Sequence, residues 1–248
     1  MKAESHPFAF LHNFLLAILF GAAALAGAAP AEQALLSGKD FTGWRRPTGE
    51  WTVAGAVSLA TAGATNFVVT PGMGIIVNGP KGRTINLVTE AEFGDVEAHI
   101  EFCIPKRSNS GIYFMGRYEV QVYDSFGVEK DLYPGIECGG IYGRWINKQN
   151  VEGHSPRVNA SKPPGEWQTF DVTFRAPRFD AGGKRIANAK FVKVMHNGQV
   201  VHENVEVTGP TRAALYNDEK PTGPLLLQGD HGWVAYRNLR VKLIANIQ

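Results

Sequence analysis

The segment from Asn109 to Asp124 reads Asn-Ser-Gly-Ile-Tyr-Phe-Met-Gly-Arg-Tyr-Glu-Val-Gln-Val-Tyr-Asp, and apolar and polar side chains alternate along most of it. Alternation with a period of two is typical of β-strands that have two different faces. Gly116-Arg117 divides the segment and predicts a tight turn, so the two halves are expected to form a hairpin. One face of the hairpin would lie in a core. The other carries Glu119 and Gln121 side by side, and we take it as the candidate functional site.

The beginning of the chain differs from the rest. Residues 14–28 are almost wholly apolar, Lys2 precedes them, and Ala26-Gly27-Ala28 provides small residues at their end. This layout predicts a secretory signal peptide at residues 1–28. An uncleaved anchor is the alternative, although a membrane span needs ~20 apolar residues. We expect export to the periplasm or the outside, with no stable membrane association after signal cleavage.

Residues 29–248 are expected to form one catalytic domain, long enough to bury a substantial core. The formal net charge of +2, without a basic run, argues against a nucleic-acid partner. The two cysteines, Cys103 and Cys138, are too few for a disulfide framework, and whether they pair stays open. No Cys/His spacing resembles a zinc site, so we assign no metal ligands and no cofactor, and whether a metal assists stays open.

Short predicted strands separated by Gly, Pro and Asn turns make up most of this domain. Asn197-Gly198 is the strongest hairpin signal, and no amphipathic helix of three turns is found. Residues 125–164 form a long connection whose large apolar side chains indicate an ordered excursion over one sheet face. The pattern predicts an all-β fold, an antiparallel β-sandwich of the jelly-roll type. The clearest strands are at 86–89, 96–104, 167–174, 191–195, 200–202, 225–228 and 233–241.

Glu119, Gln121 and Asp124 form a Glu-x-Gln-x-x-Asp pattern. Two carboxyl groups close together can have their pKa values pushed apart, which supplies an acid and a base. A solvated polar strand face is the alternative. Aromatic side chains beside the pattern favour a sugar ligand, which has apolar ring faces and polar edges; they are Tyr113, Tyr118 and Tyr123.

Further polar residues could take part in chemistry. Asp230-His231 follows a buried strand, and a His at a strand end can be a general acid or base. A structural turn histidine is the commoner case, and Asp230 does not prove a dyad because adjacent residues rarely face one another. Arg144 and Lys162 could neutralise an oxyanion or an enolate, or could be surface charges. Asn109 is a turn signal first and a polar ligand second.

Four segments together resemble the family of secreted bacterial 3-keto-disaccharide hydrolases, and the match spans nearly all of the mature chain in order. The resemblance implies a concanavalin-like jelly roll in which the polar strand face lines a sugar cleft. The segments are Leu-Ser-Gly-Lys-Asp-Phe-Thr-Gly-Trp at 36–44, Asn-Ser-Gly-Ile at 109–112 with Tyr-Glu-Val-Gln-Val-Tyr-Asp-Ser at 118–125, Asn-Ala-Ser-Lys-Pro-Pro-Gly-Glu-Trp at 159–167, and Leu-Gln-Gly-Asp-His-Gly at 227–232 with Arg-Asn at 237–238.

The implied reaction is cleavage of a 3-keto-disaccharide. The ketone at C3 acidifies the proton on C2, a base removes it, the resulting enolate expels the aglycone from C1, and water adds later. This route needs a base, an acid and an electrophile at the ketone oxygen, but no carboxylate nucleophile. We expect Glu119 or His231 as base and Asp124 as acid or orienter. The substrate-binding candidates are Asn109, Tyr113, Gln121, Arg144, Lys162 and Asp230.

Two other functions remain open at this level. Jelly-roll glucanases carry a Glu-x-Asp-x-x-Glu strand, which the pattern here echoes with Gln121 in place of the middle acid. A retaining glycoside hydrolase of that kind needs carboxyl groups ~5–5.5 Å apart. A non-catalytic carbohydrate-binding module would need the aromatic residues and Asn109 but not Glu119.

Overall fold

A computed structural model of the chain describes Met1, residues 31–129 and residues 136–244. The predicted signal peptide lies outside the described residues except for Met1, and six residues of the long connection also lie outside them. Within the described ranges, no helix is long and apolar enough to cross a membrane.

The described chain is built from β-strands. The hairpin of the candidate site consists of β6 and β7 and lies near the middle of the chain. The strands are β1 (Gln33–Ala34), β2 (Thr52–Leu59), β3 (Phe67–Val77), β4 (Leu87–Phe93), β5 (Val96–Cys103), β6 (Asn109–Phe114), β7 (Tyr118–Tyr123), β8 (Arg144–Ile146), β9 (Gln149–Val151), β10 (Gln168–Arg175), β11 (Arg178–Phe179), β12 (Arg185–Ala187), β13 (Ala189–His196), β14 (Gln199–Val207), β15 (Gly223–Leu227) and β16 (Ala235–Leu243).

Two antiparallel sheets form the layers of a sandwich. The larger has eight strands in the order β14-β13-β10-β5-β16-β3-β2, with β1 paired to β16. The smaller has four strands in the order β4-β15-β6-β7. Two short ribbons, β8–β9 and β11–β12, complete the described strands. The prediction of an all-β antiparallel sandwich is confirmed.

Aromatic side chains join the two sheets. Phe114 of the smaller sheet has its ring centroid 5.3 Å from that of Phe174 and 5.6 Å from that of Phe191, both in the larger sheet. All three are almost completely buried. Such pairs add about 0.5–1.5 kcal/mol each beyond the burial of apolar area. The core therefore lies between the sheets, and the other face of the smaller sheet is left for a site.

The predicted hairpin is present, with β6 and β7 paired antiparallel around a turn at residues 115–117. Gly116 adopts a left-handed conformation there (φ 63°), which glycine reaches without steric cost. In the register of the pair, Ile112 faces Val120 and Tyr113 faces Glu119. Since neighbouring side chains along a strand point to opposite faces, the first pair enters the core and the second lies on the outer face.

Part of the long connection extends the smaller sheet beyond β7. Ile141 forms isolated bridges with Val120 on one side and His154 on the other. The Tyr142 amide donates to the Glu119 carbonyl at 3.1 Å. The described part of the connection is thus ordered over one sheet edge, and it brings Tyr142 beside Glu119.

The two cysteines are buried, free thiols. Cys103 packs in an apolar cluster on the other side of the larger sheet with Phe67 and Val77. Cys138 lies in the main core, with its Sγ 4.0 Å from His196 Nε2. Burial raises the pKa of both thiols to about 12, so neither is reactive near neutral pH.

Candidate active site

A cavity of about 350 Å³ lies over the outer face of the hairpin. It is lined by both strands of the hairpin, by the end of β15 and by three loops. The polar strand face selected from the sequence is therefore a cavity wall and not a solvated surface. The lining residues are Asn109, Tyr113, Glu119, Gln121, Tyr142, Arg212, Ala213, Gln228 and His231.

Glu119 is the acidic group of this cavity, and its side chain is only 2% exposed. Burial raises its pKa to about 8, and the negative charge of Asp230 acts in the same direction. A hydrogen bond from the Tyr113 hydroxyl opposes this shift because it favours the ionised carboxylate. Glu119 is therefore mostly protonated at neutral pH and can donate a proton.

Gly111 makes room for this carboxyl group. A Cβ atom built on Gly111 would overlap Glu119 Oε1, and it would lie 2.8 Å from Cδ of the same side chain. Gly111 lies opposite Gln121 in the strand register, on the same outer face. The glycine of the Asn-Ser-Gly sequence of β6 is thus explained by the packing of Glu119 over a residue without a side chain.

Three amide side chains converge on the cavity with unused acceptors. The buried oxygens Asn109 Oδ1, Gln121 Oε1 and Gln228 Oε1 accept no hydrogen bond from any described residue. A buried polar atom without a partner costs about 1–3 kcal/mol. Three such atoms facing one cavity indicate a ligand rich in hydroxyl groups, which can donate to all of them.

His231 lines the cavity and is held by its neighbour. Its Nδ1 lies 2.6 Å from Asp230 Oδ1, although both side chains are exposed. The sequence left a dyad of these adjacent residues open, and in the bend after β15 the Asp230 carboxylate does contact the ring. A proton on Nδ1 shared with Asp230 leaves Nε2 as the nitrogen available for acid–base chemistry.

Tyr142, Arg212 and Gln228 were not selected from the sequence. The Arg212 amide donates to the Gly143 carbonyl at 2.8 Å, and its guanidinium carbon lies 4.2 Å from the Trp145 ring centroid. Arg212 is the permanently charged cation of the lining. The Tyr142 pKa is raised, by burial first and by the charge of Glu119 second. Gln228 lies in the segment 227–232, which resembles the family, and this resemblance is the sequence signal that could have identified it as a site residue.

Other selected residues lie outside the cavity lining. Asp124 Oδ2 accepts a hydrogen bond from the Arg107 amide at 2.8 Å, which fixes the loop before β6. Arg144 bonds Thr208 and pairs with Glu152 at 3.7 Å. Asp230 reaches the cavity only through His231.

Lys162 is also absent from the lining, since its Nζ donates to the Trp167 carbonyl at 3.1 Å. The structure therefore brings together five of the nine residues selected from the sequence and does not bring Asp124, Arg144, Lys162 or Asp230 into the lining itself. Among the described residues, no group of three or more His, Cys, Asp or Glu side chains could hold a metal ion.

Replacing Glu119 with Gln is expected to stabilise the fold increasingly as the pH rises above 4.5, with the full effect above about pH 8. The carboxyl pKa rises from 4.5 to about 8 on folding, so its stabilising contribution is full below pH 4.5 and is lost as the pH rises through 8. At ~1.36 kcal/mol per unit, the gain for Glu119→Gln at pH 9 is up to about 5 kcal/mol. Thermal unfolding at pH 5 and pH 9 measures it, with exposed Glu166→Gln as control. An equal change in Tm at both pH values would contradict the raised pKa.

Comparison with known proteins identifies the family of the chain. A sequence model of the 3-keto-alpha-glucoside-1,2-lyase-like domain matches residues 31–242. A structure described as a "putative glycosyl hydrolase" from Parabacteroides distasonis is similar at 27% identity and a TM-score of 0.60, over 86% of this chain and 84% of that one. A second so described from the same organism, at 19% identity and a TM-score of 0.55 over 86% and 94%, shows the fold alone.

No curated protein matches the chain. The family match covers both sheets and every residue that lines the cavity. Together with the first Parabacteroides distasonis structure, it supports a carbohydrate-active function of the hydrolase or lyase kind. The chain belongs to the family of 3-keto-alpha-glucoside-1,2-lyase-like domains.

Proposed function

We propose that this protein cleaves 3-keto-glycosides, 3-keto-disaccharides among them, by elimination across C1 and C2 followed by addition of water. The observation that carries the proposal is the one buried carboxyl group among the described lining residues, Glu119, whose pKa of about 8 keeps it mostly protonated at neutral pH. An elimination of this kind needs one acid and one base and no carboxylate nucleophile.

His231 is the base in this proposal. Its Nε2 takes the proton from C2, and the electron pair of that bond passes through C2 and C3 to the ketone oxygen as an enolate. The C1–O bond then breaks as the C1–C2 double bond forms and the ketone returns. The departing oxygen receives the proton of Glu119. Asp230 holds the ring of His231 and stabilises the positive charge that it gains.

The enolate oxygen needs a positive partner, and Arg212 is suited to it because it is the arginine among the described residues that line the cavity. This residue takes the role expected of Arg144 or Lys162, both of which are engaged elsewhere. Asn109, Gln121 and Gln228 would accept hydrogen bonds from the sugar hydroxyls and hold the ring in place. Fixed donors and charges in a partly dry site supply most of such a rate enhancement.

A retaining glycoside hydrolase fits this geometry less well. It requires a second carboxyl group ~5–5.5 Å from the first. Asp124 is held by the Arg107 amide outside the cavity lining, and Asp230 is engaged with His231. A binding module would have no use for a buried, protonated Glu119, which destabilises the fold at high pH.

A paired assay tests the proposal. The protein is expected to cleave a 3-keto-disaccharide and to leave its parent disaccharide intact, since only the ketone acidifies the C2 proton. In D₂O, the released keto sugar should carry deuterium at C2, measured by mass spectrometry and NMR. Cleavage of the parent sugar, or release of keto sugar without deuterium at C2, would overturn the elimination.

A further inference from the structure

A second cavity borders the candidate active site. It is a groove of about 750 Å³ that lies next to the turn between β15 and β16. Asp230 lines the groove and His231 lines the active-site cavity, and the two side chains are joined at 2.6 Å. One hydrogen-bonded pair thus forms the boundary between the two spaces. The groove is lined by Gly49, Glu50, Arg83, Thr84, Ile85, Asn86 and Asp230.

The groove wall is fixed to this boundary by hydrogen bonds. The Thr84 amide donates to the Gly229 carbonyl at 2.8 Å, and the Gly229 amide donates to Asn86 Oδ1 at 3.1 Å. The carbonyl of Ile85 accepts from Trp51 Nε1 at 2.8 Å. A ligand that entered the groove would therefore meet a preformed surface, which lowers the entropy cost of binding.

Glycine lets two segments of the groove wall pack closely. A Cβ atom on Gly49 would lie 2.8 Å from Ile85 Cγ1 and would also overlap Thr84 Oγ1. Gly49 has φ +58°, a conformation that favours glycine. Its bare backbone thus lets the segment at 84–85 approach closely.

The exposed groups of the groove suit a sugar ring. Ile85 is 48% exposed and offers an apolar surface for one ring face. Arg83 is exposed and forms no ion pair with the described residues. With Asn86 Oδ1 already bonded to the Gly229 amide, the Nδ2 group of Asn86 is free to donate to a hydroxyl. Apolar surface beside polar donors is the usual composition of a small-ligand site.

We infer that this groove binds the leaving saccharide, so that the scissile bond lies at the Asp230–His231 boundary. The inference rests on the proposed function. If His231 takes the proton from C2, then the C1–C2 edge of the keto sugar lies at His231, and the sugar attached to C1 continues past this edge toward the groove that Asp230 lines. The active-site cavity then holds the keto sugar and the groove holds the second sugar.

Two substrates separate this role from catalysis. Methyl 3-keto-glucoside has no second sugar, whereas a 3-keto-disaccharide has one. Ile85→Ala and Arg83→Ala are each expected to lower kcat/KM for the disaccharide about 10-fold and to change that for the methyl glycoside less than about 2-fold. Ile186→Ala, which removes an exposed side chain of the β11–β12 ribbon, is the matched control and should change neither.

Each other outcome contradicts a specific claim. Equal losses for both substrates, or no loss for either, would overturn the groove as the leaving-sugar site. A disaccharide-selective loss in Trp145→Ala, with Ile85→Ala and Arg83→Ala unaffected, would place the second sugar beside Arg212 instead. If the wild-type protein cleaves neither substrate, the proposed function itself fails.

Discussion

Glu119→Gln is expected to lower kcat for a 3-keto-disaccharide by at least about 1000-fold, within the range that general acid catalysis supplies. Gln keeps the shape of the side chain but has no proton to give to the departing oxygen. Asp124→Asn is the matched control, since it also replaces a carboxyl by an amide in the same hairpin region. Because Asp124 bonds the Arg107 amide outside the cavity lining, its loss should cost less than about 5-fold in kcat.

The pH dependence of kcat/KM shows whether Glu119 acts as an acid or as a base. With Glu119 as the acid, kcat/KM of the wild-type protein should fall as the pH rises through about 8, where the carboxyl loses its proton. A rate that instead rises through pH 8 would make Glu119 the base and would leave His231 without the assigned role.

Tyr113 provides a second readout of the same carboxyl group. Its hydroxyl lowers the Glu119 pKa by bonding to the carboxylate, so Tyr113→Phe should move the alkaline decline to higher pH. Tyr118→Phe removes a hydroxyl from the same hairpin but from the core face, where it bonds Glu219. That variant should leave the alkaline decline where it is in the wild-type protein. The two tyrosines thus separate a titration effect from a general loss of packing.

Alternation along one strand was enough to predict the faces of the hairpin. Ile112 and Val120 enter the core, while Glu119 and Gln121 share the outer face. This part is local, because the period of two is written into consecutive residues. The same reasoning yields the antiparallel sandwich, since short strands separated by turns have few other ways to bury one face each.

The rest of the site depends on contacts between distant residues. The backbone N–H of Gln228 donates to the Gly111 carbonyl at 2.8 Å, and this bond holds Gln228 at the cavity. Alternation within either segment does not specify this pairing. Arg144 begins the short strand β8 and Arg212 lies in the loop between β14 and β15, and the residues next to each in the sequence do not show which of the two lines the cavity. The difference is tertiary, since Arg144 meets Thr208 and Glu152 while Arg212 lies on Trp145 beside the cavity.

Asp230 and His231 illustrate a further limit. In a strand, adjacent side chains point apart, so a dyad of neighbours is not expected. The turn after β15 removes this restriction and brings Asp230 Oδ1 to His231 Nδ1. Backbone geometry outside the regular strands thus determines the contact between Asp230 and His231, which strand alternation does not predict.

His231→Asn is expected to lower kcat about 1000-fold and to abolish exchange of the C2 proton with solvent, because the variant has no base at that position. The exchange can be followed by NMR in D₂O with a 3-keto sugar. His99→Asn is a close control, since His99 Nδ1 also lies 2.6 Å from an aspartate, Asp171, but on the outer face of the larger sheet. It should change both rates less than about 2-fold.

Asp230→Asn should act in two ways that can be separated. Loss of the carboxylate leaves the His231 ring less well oriented and its positive charge less stabilised, which should lower kcat about 10- to 100-fold. The negative charge of Asp230 also raises the Glu119 pKa, so its removal should shift the alkaline decline to lower pH. A residue that only maintained the turn would lower the rate without moving the profile. If His231→Asn still exchanged the C2 proton at the wild-type rate, His231 would not be the base. If Asp230→Asn left the alkaline decline of kcat/KM at the same pH, Asp230 would not act on the Glu119 carboxyl.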